Sequence, residues 1–179
     1  MIPKALILDR DGTLIEHVPY LCDPAEMRLL PGVEEGLGLA VRSGAKLFLH
    51  TNQSGVGRGM FGMEEVELCN ARLVEMLEHG FERICTAPEA PGAPSKYRKP
   101  SPEFAKEVMA EYGFSAEEIC YVGDRGSDLG AAAAAETRGV GVATGLDDLQ
   151  AELEAQGYGE QFPVFGDFLS AMKFLFPQT

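Results

Sequence analysis

The stretch KALILDRDGT, residues 4–13, decides the fold of this chain. Its apolar run ends directly at Asp9, which is the pattern of a buried parallel strand. Asp9 and Asp11 stand two residues apart, so their carboxylates can project from one turn into one crevice. Gly12 permits the tight turn that this arrangement needs. The stretch therefore predicts a strand with two reactive carboxylates at its end; a solvated acidic turn is the competing interpretation.

Strands and helices alternate along the rest of the chain. Further strands are predicted at residues 45–50, 84–86, 119–123 and 139–143. Helices are predicted at residues 31–44, 63–79, 101–112 and 128–136, and the tail from residue 146 is expected to be mostly helical. This alternation predicts an α/β fold with one doubly wound parallel sheet. Ligands of such sheets bind beyond the carboxyl ends of the strands, where Asp9, Thr51 and Asp124 stand.

Length, composition and charge narrow the class of protein. The 179 residues fit one domain, residues 1–179, and an apolar fraction of 45% is enough for a core. No window approaches the roughly 18 apolar residues of a membrane span, and the first residues lack the zones of a signal peptide, so we expect a cytoplasmic protein. The net charge of −13 makes nucleic acid and anionic membranes poor partners.

Two further segments have the chemistry to bind a phosphate. The sequence TNQSG, residues 51–55, follows the second strand, where the Thr51 hydroxyl and backbone N–H groups can hold phosphate oxygens. The ammonium of Lys99 can neutralise negative charge on a phosphate and on a nearby carboxylate. Taken alone, the first segment is equally well a polar turn, and the second is more often a solvated surface.

The segment GDRGSD, residues 123–128, predicts a cation site. Mg²⁺ prefers hard oxygen ligands, among them one or two carboxylates. Asp9, Asp124 and the backbone carbonyl of Asp11 could supply the protein's share of them. Asp128 would then orient a metal-bound water or Lys99. The alternative is an acidic cluster at a helix N-terminus, which the helix dipole favours.

Together the four motifs, in this order, resemble those of the haloacid dehalogenase superfamily. The resemblance implies a Rossmann-like domain and a Mg²⁺-dependent phosphatase in which Asp9 is the nucleophile and Asp11 the general acid/base. Chemistry agrees, since a carboxylate can attack phosphorus and a second carboxyl can protonate the leaving alkoxide. The resemblance also implies that Thr51 and Lys99 bind the phosphate. A non-catalytic binding module is the competing class, but such modules usually lose Asp9 or Asp11.

A closer resemblance is to the histidinol-phosphatase and heptose-bisphosphate-phosphatase branch. It covers about residues 5–145, and its most specific part is TNQSGVGRG, residues 51–59. It implies a small phosphorylated metabolite as the substrate, best a heptose bisphosphate and otherwise histidinol phosphate; transfer of the phosphoryl group to another acceptor is also open. The side chains implied to bind the substrate are Asn52, Arg58, Arg98 and Arg125, the last at a distal phosphate.

One departure concerns zinc. The branch often holds a structural zinc with a C-x-H and a C-x-C motif before the lysine. Here Cys85 matches, but Ala87, Ser95 and Tyr97 do not. One soft ligand cannot build a tetrahedral site, so we predict no zinc.

The spacing of the motifs leaves little room for a second domain. The intervals from Asp9 to Thr51 and from Thr51 to Lys99 are mostly taken up by the predicted core elements. We therefore expect no large cap and only a small flap, residues 16–30, over the site. The sequence leaves a monomer and a small homo-oligomer both open.

Overall fold

The computed structural model describes residues 1–177 as one parallel sheet covered by helices on both faces. Its strands are β1 (Ala5–Leu8), β2 (Lys46–Asn52), β3 (Arg83–Ala87), β4 (Ile119–Gly123), β5 (Arg138–Val142) and β6 (Val164–Phe165). They lie in the order β3-β2-β1-β4-β5-β6, and every neighbouring pair is parallel. The predicted doubly wound α/β fold is confirmed, with β1 at the centre of the sheet.

Seven α-helices are described, six between strands and one after the last strand. They are α1 (Val33–Arg42), α2 (Ser54–Gly57), α3 (Met63–Met76), α4 (Glu103–Tyr112), α5 (Gly126–Ala134), α6 (Leu149–Ala155) and α7 (Phe168–Leu175) within residues 1–177. Two 3-10 turns lie at Pro24–Glu26 and Ala116–Glu118. No helix in this part of the chain is both long and apolar enough to cross a membrane.

The core has two halves because side chains of a strand point alternately to opposite faces of the sheet. Leu6 and Leu8 of β1 pack against apolar residues of α1, α3 and α7. Ala5 and Ile7 pack on the other face, against α4, α5 and α6. All four residues are completely buried. Burial on both faces explains why β1 is an uninterrupted apolar run, and it holds Asp9 rigidly at the end of that run.

The tail and some helix ends differ from the sequence-based predictions. The tail is helical at α6 and α7, but it also contains the two-residue strand β6, which is too short to leave a periodic pattern. Helix α3 ends at Met76 and not near His79, because Leu77 is already extended, with φ −101° and ψ 142°. Helix α5 begins at Gly126, two residues before the predicted start.

The flap is a small excursion between β1 and α1. Its two ends are joined by backbone hydrogen bonds, from the Glu16 amide to the Arg28 carbonyl (2.9 Å) and from the Leu30 amide to the Leu14 carbonyl (3.0 Å). Within residues 1–177 no insertion has the size of a large cap, so the predicted fold with a small flap and no large cap is confirmed.

Candidate active site

A cleft of about 620 Å³ opens at the carboxyl edge of the sheet. Its walls come from the loop after β1, the flap, the β2–α2 segment, residues 95–100 (the lysine loop), and α5 with α6. The polar side chains on these walls include Asp9, Asp11, His17, Tyr20, Asn52, Arg58, Arg98, Lys99, Arg125, Asp128, Glu152 and Gln156. The volume is in the range of small-molecule sites.

Lys99 lies at the bottom of this cleft, and its ammonium joins two strand ends. Nζ donates to Oδ1 of Asp9 (2.5 Å) and to the carbonyl of His50 (2.7 Å), and it forms an ion pair with Oδ1 of Asp128 (2.6 Å). Burial acts to lower the pKa of Lys99, but the charges of Asp128 and Asp9 outweigh it and raise the pKa overall. The lysine is therefore a fixed positive charge beside the Asp9 carboxylate.

Three carboxylates converge next to this lysine. Asp9, Asp124 and Asp128 each offer an oxygen within 4.8 Å of the others, and within residues 1–177 they are the one such group of acidic, Cys or His side chains. Burial, followed by the charges of Asp9 and Asp128, raises the pKa of Asp124 to about 9. Burial also raises the pKa of Asp9 to about 6, although Lys99 opposes it. The site thus holds more negative charge than one lysine compensates.

The surroundings of Asp124 fit a divalent cation. Oδ1 accepts a hydrogen bond from the Thr13 hydroxyl (3.1 Å), whereas Oδ2 is buried and has no hydrogen-bond partner among residues 1–177. Gly12 and Gly145 lie against this carboxylate, where a Cβ would collide with it. An unpartnered buried carboxylate oxygen within an acidic cluster suits Mg²⁺, which prefers hard oxygen ligands. Asp128 fits less well, because its Oδ2 accepts from the Arg125 amide (3.0 Å) and its Oδ1 is paired with Lys99.

Asp11 is held apart from the other carboxylates. Its Oδ2 accepts from Nε of Arg10 (3.0 Å) and from Nε2 of Gln53 (2.9 Å). The same Gln53 nitrogen donates to the Thr51 hydroxyl (2.8 Å). Sequence reasoning did not single out Gln53; its place directly after Thr51 and Asn52, at the end of a strand, is the signal that could have found it.

Two residues predicted to contact the substrate also have partners inside the protein. Thr51 is only 1% exposed, and its hydroxyl oxygen accepts the bond from Gln53. The Asn52 side chain is bonded to the backbone of Lys99, with Nδ2 donating to the carbonyl (3.3 Å) and Oδ1 accepting from the amide (3.0 Å). Asn52 therefore connects β2 to the lysine loop as well as lining the cleft.

Three arginines line the cleft, and they differ in their partners. Arg125 forms a 2.5 Å ion pair with Asp147. Arg98 donates to the carbonyl of Glu89 (3.1 Å), and burial together with the nearby charge of Arg58 lowers its pKa. Within residues 1–177 neither Arg58 nor Arg98 forms an ion pair with a carboxylate. The positive charges of Arg58 and Arg98 are therefore compensated less than that of Arg125.

The part of the cleft wall formed by α5 and α6 includes Glu152. The carboxylate of Glu152 accepts a hydrogen bond from the Gly126 amide (2.6 Å), at the N-terminus of α5. A helix N-terminus attracts anions, but here a glutamate of the protein already occupies the first amide.

The lysine loop is held by hydrogen bonds of the Ser95 and Tyr97 side chains. The Ser95 hydroxyl donates to the Glu89 carboxylate (2.7 Å) and accepts from the Arg98 amide (2.9 Å). The Tyr97 hydroxyl donates to Glu107 (2.8 Å). These bonds tie the loop that carries Arg98 and Lys99 to its neighbours.

The chain is similar to known phosphatases over nearly its whole length. A HAD-hydrolase-like family model matches residues 96–169. A D-glycero-beta-D-manno-heptose-1,7-bisphosphate 7-phosphatase of Pseudomonas putida is 32% identical over 168 residues, covering 92% of this chain and 94% of that protein. The corresponding Pseudomonas aeruginosa enzyme is 34% identical over 149 residues, covering 81% and 84%.

A solved structure shares the fold closely. D,D-heptose 1,7-bisphosphate phosphatase from B. bronchiseptica, complexed with magnesium and phosphate, aligns with a TM-score of 0.85 at 27% identity, covering 96% of this chain and 97% of that one. The arrangement of Lys99 among the carboxylates of Asp9, Asp124 and Asp128 and these similarities lead to the same class of enzyme. The chain belongs to the HAD-like hydrolases, as a phosphoric monoester hydrolase of the branch that includes the heptose-bisphosphate phosphatases.

Proposed function

We propose that this protein is a Mg²⁺-dependent phosphatase that acts through a phospho-aspartate on Asp9 and removes the 7-phosphate of D-glycero-D-manno-heptose 1,7-bisphosphate. The observation that carries the proposal is the position of Lys99, whose ammonium lies between Asp9 and Asp128. The buried, unpartnered oxygen of Asp124 stands in the same cluster. A nucleophile, a fixed counter-charge and a cation site are the parts that phosphoryl transfer needs.

In the first step a carboxylate oxygen of Asp9 attacks phosphorus, and the ester P–O bond breaks. The leaving oxygen takes the electron pair and receives a proton from Asp11. In the second step water attacks the same phosphorus and gives a proton to Asp11, while the acyl-phosphate bond breaks and returns its electron pair to Asp9. Inorganic phosphate is released, and both carboxyl groups are back in their starting forms.

The remaining polar groups hold the phosphoryl group and the cation. Asp9, Asp124 and the backbone carbonyl of Asp11 would hold Mg²⁺, which offsets the charge of the phosphoryl group during transfer. The Thr51 hydroxyl and Lys99 would bind phosphate oxygens, because an oriented donor and a fixed charge stabilise the transition state. Asp128 supports the site by fixing Lys99 at 2.6 Å, and Gly12 leaves the space that the Asp124 carboxylate occupies.

We assign the second phosphate of the substrate to Arg58 and Arg98, and the sugar between them and the reaction centre to Asn52. Two neighbouring guanidinium groups that have no carboxylate partner in the described part of the chain suit a dianion. Arg125 is a weaker candidate for this phosphate because it is paired with Asp147 and stands near Glu152. The polar groups of that wall suit sugar hydroxyls instead.

A substrate panel tests the proposal. Purified protein with Mg²⁺ is given heptose 1,7-bisphosphate, histidinol phosphate and glycerol phosphate, with and without a chelator, and released phosphate is measured. We expect the highest kcat/KM for the bisphosphate, one phosphate released per molecule, and loss of turnover with chelator. A preference for histidinol phosphate would contradict the substrate assignment, and turnover that survives chelation would contradict the role of the cation.

We also infer that residues 1–179 act as one domain with residues 16–30 as its flap, in the cytoplasm, as a monomer or small homo-oligomer without zinc. The single sheet and the net charge of −13 support this, the latter by disfavouring nucleic acid and anionic membranes. Light scattering after size-exclusion chromatography, cell fractionation and elemental analysis test these points. A large assembly, a membrane-bound fraction or stoichiometric zinc would contradict them.

A further inference from the structure

Arg10, which stands between the two aspartates of the first motif, is completely buried. Burying a guanidinium costs free energy unless its charge is paired. An apolar residue of similar volume often stabilises a fold as much as a buried ion pair does. Its carboxylate partner is Asp11, which accepts from Nε (3.0 Å, to Oδ2) and from Nη2 (3.3 Å, to Oδ1). A planar two-point contact of this kind fixes the orientation of a carboxylate.

The other end of this guanidinium is anchored in α3. Nη1 of Arg10 donates to Oδ1 of Asn70 (2.9 Å), and Nδ2 of Asn70 donates to the Thr86 hydroxyl in β3 (3.3 Å). Asn70 is 7% exposed and lies among the buried apolar residues of that helix. A buried amide needs partners of its own, and here it finds them in Arg10 and Thr86. Rotation of the Arg10 side chain would therefore break bonds at both of its ends.

The hydrogen bonds at Asp11 also distinguish its two oxygens. Oδ2 accepts two short bonds, from Arg10 and from Gln53 (2.9 Å). Oδ1 accepts only the longer 3.3 Å bond from Arg10 among residues 1–177. A proton is carried more easily by the oxygen with fewer donors directed at it.

We infer that Arg10, held in place by Asn70, is a positioning residue that presents Oδ1 of Asp11 as the oxygen exchanging protons with the substrate. This inference rests on the proposed function. The proton leaves Oδ1 for the ester oxygen as its bond to phosphorus breaks, and a proton from the attacking water returns to Oδ1 in the second step. Arg10 itself neither gains nor loses a proton.

Leaving groups of different basicity test this inference. An alkoxide needs a proton from Asp11, whereas 4-nitrophenolate leaves without one, and kcat/KM reports the steps up to its release. Asn70→Leu and Arg10→Lys should lower kcat/KM for glycerol phosphate on the order of 10- to 100-fold. For 4-nitrophenyl phosphate the loss should stay within about threefold, and Asn70→Asp, which keeps the acceptor, should recover most of the loss.

The losses of the folded variants on the two substrates, together with the activity of Asp9→Asn, decide the outcome. Equal losses on both substrates in folded Asn70→Leu, or no loss on either, would overturn the positioning role. Asn70→Leu and Asn70→Asp keep the test decisive if Arg10→Lys does not fold, as judged by circular dichroism. Asp9→Asn separates this inference from the proposed function: turnover by that variant would remove the phospho-aspartate, whereas its inactivity together with equal losses would remove only the role of Arg10 and Asn70.

Discussion

The side chain of Asn52 is bonded through both of its polar atoms to the backbone of Lys99, at 3.3 Å to the carbonyl and 3.0 Å from the amide. The two residues are 47 positions apart. The pair fixes the lysine loop to the end of β2, so that the ammonium arrives beside Asp9. Asn52 thereby acts on the reaction centre through the position of another residue.

Removing the two hydrogen bonds between the Asn52 side chain and the Lys99 backbone should displace Lys99. We predict that Asn52→Ala lowers kcat for heptose bisphosphate roughly 10- to 100-fold, because a misplaced charge stabilises the transition state poorly. The check is a double-mutant cycle with Lys99→Met. The double variant should be hardly worse than Lys99→Met alone, whereas multiplied losses would mean that the two residues act independently.

Two glycines with the same backbone conformation allow the effect of backbone strain to be distinguished from an effect on the cation site. Gly12 has φ +83° and Gly44 has φ +84°, but a Cβ on Gly12 would collide with Asp124, whereas one on Gly44 would meet no atom of residues 1–177 within 4 Å. Both alanine variants should lose about 1 kcal/mol of unfolding free energy from the left-handed backbone. Only Gly12→Ala should also raise the Mg²⁺ concentration for half-maximal activity, by roughly tenfold or more. Equal Mg²⁺ requirements in the two variants would contradict the assignment of Asp124.

Short motifs allowed much of this site to be predicted from the sequence. Asp9 and Asp124 directly follow strands and Asp11 lies two residues beyond Asp9, and the carboxyl ends of parallel strands meet at one edge of a sheet. The lysine was predictable only through the family resemblance, because nothing local distinguishes Lys99 from a solvated lysine.

Other features could not be predicted, because they depend on which distant residues pack together. Asn70 meets Arg10 across 60 positions, and only the docking of α3 on the sheet creates that contact. The bonds between the Asn52 side chain and a backbone 47 positions away likewise form only when the lysine loop packs against the end of β2. Strand β6 has two residues and forms because β5 offers it an open edge.

The role of the Ser95 hydrogen bonds in the lysine loop can be tested by substitution. Ser95→Ala removes the acceptor of the Arg98 amide and the donor to Glu89. If Arg98 is held less firmly, we expect the binding free energy of the bisphosphate to weaken by about 1 kcal/mol, which should raise its KM roughly fivefold. Turnover of 4-nitrophenyl phosphate should hardly change, because it has no second phosphate. Ser43→Ala, whose hydroxyl donates to the Leu39 carbonyl at the end of α1 (2.9 Å), is the control and should leave KM unaltered; equal effects would contradict a specific role of Ser95.

The buried, hydrogen-bonded position of His50 predicts how the stability of the protein depends on pH. Its Nε2 lies 2.8 Å from the Tyr97 carbonyl and must donate, so Nδ1 accepts from the Tyr121 hydroxyl (3.2 Å) and the ring is neutral. Burial, and then the charge of Lys99, lowers its pKa from 6.5 to about 3. Below pH 6.5 the unfolded chain takes up a proton that the folded chain refuses, so this contribution to stability is complete above pH 6.5 and is lost as the pH falls towards 3.

The corresponding measurement is urea unfolding between pH 7 and pH 4. Wild type should lose up to about 1.4 kcal/mol per pH unit more than His50→Gln, which keeps a donor and an acceptor but does not titrate. Parallel curves for the two proteins would show that His50 is protonated equally in the folded and unfolded states.

The most direct test of the central claim is to trap the phosphorylated enzyme. Asp11→Asn is mixed with Mg²⁺ and 4-nitrophenyl phosphate, whose leaving group needs no acid, then quenched in acid and analysed by mass spectrometry of the intact protein and its peptides. Without the base for the second step, a phosphoryl adduct should accumulate on Asp9, and it should be absent from Asp9→Asn/Asp11→Asn. An adduct on another residue, or rapid turnover by the double variant, would contradict Asp9 as the nucleophile.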